Sequence, residues 1–166
     1  QLATLMTGSS ELLFVKSQTR NPALMLSTPC QAMRRIRHAR GGLFQYLVYY
    51  TPLGTTNEMQ AFLTTLAVSA TPGRPRPNAV TYQAAYDGPF MQLKVMYADP
   101  TSGCFILVTT NNLRGRACRL LLSSSAVSRL VPPKCGRVFI EKCPKPNIEI
   151  YDPSCPMRLP HIVRRF

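Results

Sequence analysis

The stretch Leu93–Cys143, LKVMYADPTSGCFILVTTNNLRGRACRLLLSSSAVSRLVPPKCGRVFIEKC, decides the fold. Met91, Leu93, Val95 and Tyr97 alternate with Gln92, Lys94 and Met96, the period-2 pattern of a strand. Asp99-Pro100-Thr101-Ser102-Gly103 supplies turn residues before the apolar run Cys104 to Val108, so these two runs form a hairpin. Asn111 to Gly115 breaks the chain again, and Cys118 to Leu122 is a short apolar return strand. Ser123 to Ser125 offer N-caps for a short helix. The prolines predict that it ends near Pro132-Pro133, because proline lacks an amide proton and restricts the residue before it.

Upstream, Glu11 to Gln18 reads as a first strand after a small, weakly amphipathic segment, and Arg20-Asn21-Pro22 as a turn. Gln31 to Arg40 is the most basic run. Gly41-Gly42 separates it from Leu43 to Thr51, whose aromatic and β-branched residues give the strongest strand signal, so the two form a hairpin. Met59 to Val68 is a further strand, Thr71 to Asn78 a proline-rich loop excluded from any sheet interior, and Ala79 to Tyr86 another strand before the turn at Asp87-Gly88. About eight strands joined by short turns, with one late helix, predict a mainly β fold: an eight-stranded up-and-down antiparallel barrel, with a sandwich as the second architecture. Residues 1–166 are long enough for one such domain. Eight strands leave an interior able to hold one small ligand.

No segment has the apolar length to span a bilayer as a helix. The chain starts at Gln1 without an initiating Met or a leader, which fits a processed chain. Six cysteines, none in a C-x-x-C pair, point to disulfides of a secreted protein, but spacing alone does not choose among the possible pairings. No Asn-x-Ser/Thr acceptor is present. The charge balance is 20 Lys plus Arg against seven acids, a net +13, which draws polyanions without requiring a specific site.

The series Val95-Met96-Tyr97-Ala98-Asp99, Cys104, Cys118-Arg119-Leu120-Leu121, Val131-Pro132-Pro133-x-Cys135, Phe139 and Cys143 resembles the tick salivary lipocalins. Leu12-Leu13 through Asn21-Pro22 to Cys30 is similar to the same family's first strand and loop, so the resemblance covers most of the chain. It implies a lipocalin-like barrel with a helix packed on its wall, secreted in saliva to sequester small host mediators of inflammation and haemostasis. It also implies the pairs Cys30–Cys155, Cys104–Cys135 and Cys118–Cys143. The chain departs from the family where an acid and a Trp are usual, having Arg119 and Leu121 instead. It contains no Trp, so the Gly-x-Trp signature is absent too.

These departures bear on the ligand. A barrel that captures a biogenic amine such as histamine or serotonin needs buried carboxylates to pair the ammonium. This chain has few acids to offer. In the run Met33 to Arg40, Arg35 and Arg37 share one parity, and Arg34, His38 and Arg40 the other, so either register turns a cation inward unless a bulge intervenes or the cations lie at the rim. An inward Arg119 would match a carboxylate bidentately, as in a leukotriene, thromboxane or fatty acid. The expected ligand site is therefore Arg119, Arg35 and Arg37 with Phe44, Tyr46, Tyr82, Phe105 and Phe139, although such aromatics are more often plain barrel core.

An alternative is surface binding of an anionic polysaccharide such as glycosaminoglycan, or of a host protein, through the basic patch Arg34, Arg35, Arg37, His38 and Arg40, with Arg74, Arg76, Arg164 and Arg165 adding charge. Nucleic acid is not expected, since no reading motif accompanies the charge. His38 and His161 are lone histidines without metal-ligand spacing, so neither a metal nor another cofactor is expected. Ser123 to Ser125 lack a glycine elbow and paired carboxylates are missing, so the chain does not read as an enzyme.

Overall fold

The structure is a computed structural model that describes residues 2–24, 26–54, 58–111, 113, 115–161 and 163–164. Eight strands follow the alternating runs: β1 (Leu13–Thr19), β2 (Ala32–Arg40), β3 (Leu43–Tyr50), β4 (Gln60–Ser69), β5 (Ala79–Gln83), β6 (Phe90–Asp99), β7 (Cys104–Thr109) and β8 (Cys118–Ser123). They pair antiparallel in the order β4-β3-β2-β1-β8-β7-β6-β5, and β5 pairs back onto β4, which closes an up-and-down barrel. Closure leaves no unpaired edge among the eight.

A helix α1 (Leu2–Thr7) precedes the barrel, and α2 (Pro133–Lys142) follows it. The helix expected to run from Ser123 to Pro132 is not there. Ser124 to Ser128 form turns after the end of β8, with the Ala126 and Val127 amides both donating to the Ser123 carbonyl at 2.9 Å. The helix instead begins where it was expected to stop, because Pro133 occupies its first turn, where a missing amide proton costs nothing and the fixed φ favours helix. Two short strands complete the chain: β9 (Asn147–Glu149) lies antiparallel to β1 beyond a bulge at Lys16, and β10 (Val163–Arg164) runs parallel to β4.

Apolar residues divide between two cores. Leu13, Val15, Tyr46, Val48, Phe62, Leu66, Tyr82, Leu93, Phe105 and Leu121 fill the barrel interior. Phe14, Ile106, Leu120 and Leu122 face outward beneath α2, together with Phe139 of that helix. Phe139 thus belongs to the outer wall and does not line the interior, contrary to the sequence expectation. Because β7 and β8 are covered on both faces, they read as continuous apolar runs without alternation.

Disulfides join Cys104 to Cys135 and Cys118 to Cys143, holding α2 to the wall at both ends, and Cys30 joins Cys155 across a sequence separation of 125. The ends of the barrel are also occupied. At one, Ala3 and Met6 of α1 insert into the interior core. At the other, the connection from β1 to β2 folds inward and buries Leu24 and Leu26 in the same core.

The β6–β7 turn depends on Gly103, at φ +70°, where an added Cβ would lie 2.1 Å from the Ser123 Oγ and 2.9 Å from its Cβ. A Gly103→Ala variant combines left-handed strain with this overlap and is expected to lose about 1–3 kcal/mol of stability, read as a lower urea midpoint. An unchanged midpoint would show that the turn relaxes freely.

Candidate functional site

Strand alternation builds the site. Cys118, Leu120 and Leu122 of β8 face α2, so Arg119 and Leu121 between them face the interior. Arg119 is 2% exposed and is the only fully buried charge among the described residues. Its neighbours across the ladders are Gln18 of β1 and Leu107 of β7.

The guanidinium is held by neutral groups. Nη1 donates to the Tyr82 hydroxyl at 2.7 Å, and Nη2 donates to Gln31 Oε1 in a short hydrogen bond. Gln31 is itself fixed, since its Nε2 donates to the carbonyls of Leu26 and Thr28, both at 3.1 Å. The bulge at Lys16 splits β1 so that Ser17 bonds Glu149 of β9, whereas buried Gln18 donates to the Leu26 carbonyl at 2.7 Å. Three buried polar atoms here have no hydrogen-bond partner among the described residues: Arg119 Nε, Gln18 Oε1 and the Tyr46 hydroxyl. Such atoms are rare in folded proteins and ask for a water or ligand. Burial pushes the Tyr46 phenol well above its ordinary pKa, the nearby Arg35 opposing the shift and Tyr82 adding to it, so it stays a neutral donor.

The free space lined by Arg119, Gln31, Tyr82, Val15, Met33 and Leu121 is about 10 Å³. That is room for roughly one water.

The other sequence candidates are dispersed. Arg35 faces inward opposite Tyr46 and is half-buried, but its Nη1 donates to the Thr7 carbonyl at 2.7 Å, capping α1 rather than meeting Arg119. Arg37 does not share its face, because a bulge at Ile36 sets Arg37 opposite outward Gln45, exposed, with Nε 3.4 Å from Gln45 Oε1. His38 stacks on Phe44 with ring centroids 4.4 Å apart. Arg34, Arg37 and Arg40 are exposed and set opposite Leu47, Gln45 and Leu43 of β3, so the basic patch divides between the two faces. Tyr46 and Phe105 are interior core, and Phe44 packs partly buried against it. Sequence reasoning missed Gln18 and Gln31. Only the β1 bulge turns Gln18 toward Leu26, and nothing in the local pattern announces it.

Among the described residues no group of three or more His, Cys, Asp or Glu could hold a metal ion, and no helix is long and apolar enough to cross a membrane. The profile of the family described as tick histamine binding protein matches residues 3–157. The chain belongs to this family. Among solved structures, japanin from Rhipicephalus appendiculatus bound to cholesterol is similar at 16% identity and TM-score 0.62, over 89% of this chain and 96% of japanin. AM182 in its serotonin complex is similar at 13% identity and TM-score 0.65, over 93% and 91%. Lobster apocrustacyanin A1 follows at 16% identity and TM-score 0.55, over 89% and 80%. No curated protein sequence matches. The family and the fold are those of lipocalin-type ligand binders, and among the described residues this chain buries one cation and no acid.

Removing the Tyr82 hydroxyl leaves a buried N–H of Arg119 without its acceptor. Tyr82→Phe is expected to cost about 1.5–3 kcal/mol of unfolding free energy, the scale of a hydrogen bond to a charged group, in a denaturant titration. A loss within error of zero would mean that the guanidinium finds another acceptor.

Proposed function

We propose that this protein is an extracellular scavenger that captures a small amphipathic carboxylate, a fatty acid or an oxygenated derivative of one, in its barrel. Arg119 pairs the head group. The observation that carries this reading is the guanidinium's lack of any acidic partner. All seven acids lie outside the buried set: Glu11, Glu58, Asp87, Glu141, Glu149 and Asp152 are exposed and Asp99 is half-buried. A charge buried among neutral acceptors costs several kcal/mol that a bound carboxylate would recover. Three disulfides support an oxidising, extracellular setting.

The mechanism is stoichiometric capture. With about 10 Å³ free beside Arg119, the ligand's head replaces Gln31 on Nη2 and reaches Nε, forming a bidentate pair. Its apolar chain takes the place of Leu24 and Leu26, which are packed in the interior core and tied there by two side-chain amides donating to the Leu26 carbonyl. An amine would meet Arg119 with no carboxylate to offset the repulsion, so histamine and serotonin are poor ligands on this reading.

Arg119→Met is expected to weaken binding of arachidonate by tens-fold or more in a calorimetric titration, as loss of a charged hydrogen-bond pair implies. Its unfolding midpoint should be unchanged or raised, because a buried charge is replaced by an apolar side chain of similar length. Serotonin binding native protein more tightly than arachidonate, or arachidonate binding the variant as well as the native chain, would refute the assignment.

A further inference from the structure

A second cavity lies outside the barrel, at the end closed by α1. A cavity of about 670 Å³ is lined by Leu2 and Leu5 of α1, by Arg74, Pro75, Arg76 and Asn78 of the β4–β5 connection, and by Lys94, Val95 and Met96 of β6. Its size falls in the range of small-molecule pockets. Three cations and no carboxylate occur among these residues, and Leu2, Leu5, Pro75 and Met96 give it an apolar side.

The cationic side is built stiffly. The segment Thr71–Asn78 contains three prolines. The Asn78 side chain ties its two ends together: its Oδ1 accepts from the Thr71 amide and its Nδ2 donates to Thr71 Oγ1, both at 2.8 Å. The Asn78 carbonyl then accepts the Val95 amide at 2.8 Å, which fixes the loop against the strand that carries Lys94. Guanidinium groups on a braced loop lose less entropy when they close on an anion than those on a free one.

We propose that this cavity binds an amphipathic phosphate monoester, its head between Arg74, Arg76 and Lys94 and its alkyl chain along Leu2, Leu5 and Met96. A doubly charged head suits a three-cation rim better than a single carboxylate does, and the apolar side separates such a ligand from free phosphate. The site does not depend on Arg119, so it stands or falls apart from the interior reading.

The test is calorimetric titration of the full chain with decyl phosphate, with inorganic phosphate alone as a second arm. Decyl phosphate should bind, and Arg74→Gln with Lys94→Gln should weaken it by at least about tenfold, the scale of a lost charge-assisted contact. Arg119→Met should leave it unchanged. Binding should also weaken as pH falls through about 6, where the monoester dianion takes up a proton and becomes a monoanion. Near-ultraviolet circular dichroism of the double variant confirms its fold, and Arg74→Gln alone, on an exposed side chain, should show part of the loss. Equal affinity of native and double variant, loss of binding in Arg119→Met, or inorganic phosphate binding as tightly as decyl phosphate would each overturn the proposal.

Discussion

The clamping of α2 onto β7 and β8 by two disulfides fixes the parity of the strand on which the site depends. Cys118 must point outward to reach Cys143, and Cys104 outward to reach Cys135. A strand has period two, so Arg119 has nowhere to point but the interior. A one-residue slip would bring both Leu121 and the guanidinium beneath the helix, but it would also carry Cys118 to the wrong face. The covalent bond therefore excludes the alternative register that hydrophobic patterning alone leaves open in a run as uniformly apolar as Leu120-Leu121-Leu122.

That constraint forces a cost on the folded state. A guanidinium taken out of water is tolerated only when its N–H groups are satisfied, and here Tyr82 and Gln31 satisfy two while Nε goes without a partner. The same Gln31 anchors the Leu26 carbonyl, and Gln18 holds it from the other side. Gln31 thus links the inward-folded Leu26 segment to Arg119 through one side chain, its Nε2 on the Leu26 carbonyl and its Oε1 on the guanidinium.

The strands were legible because most of them alternate, and the barrel followed from their number and short connections. What misled was context. Proline at 132 and 133 reads as a helix stop, yet proline is equally suited to a helix's first turn, and only the covered outer wall of β7 and β8 shows where a helix is needed. Phe139 reads as interior for the same reason, since its element begins at Pro133. In β2 the two-residue period breaks at Ile36, and that bulge separates Arg35 from Arg37, which alternation alone had put together. Leu24 and Leu26 sit between Pro22 and Pro29 in what reads as a loop, and no local pattern says that a loop will fold into a barrel.

Membership of a family described by histamine binding does not settle the sign of the ligand, and the physics of this chain weighs against a cation. The net charge of +13 repels amines and draws anions, but at physiological ionic strength exposed charges are screened beyond roughly 8 Å, so they set encounter rates more than occupancy. Arg119 is different because solvent cannot screen it. Inside the barrel a guanidinium unopposed by any buried carboxylate penalises an ammonium and favours a carboxylate by the same electrostatic interaction, and no rearrangement of surface arginines changes that difference. The proposed preference for an anion rests on that buried residue rather than on the family's name or the surface charge.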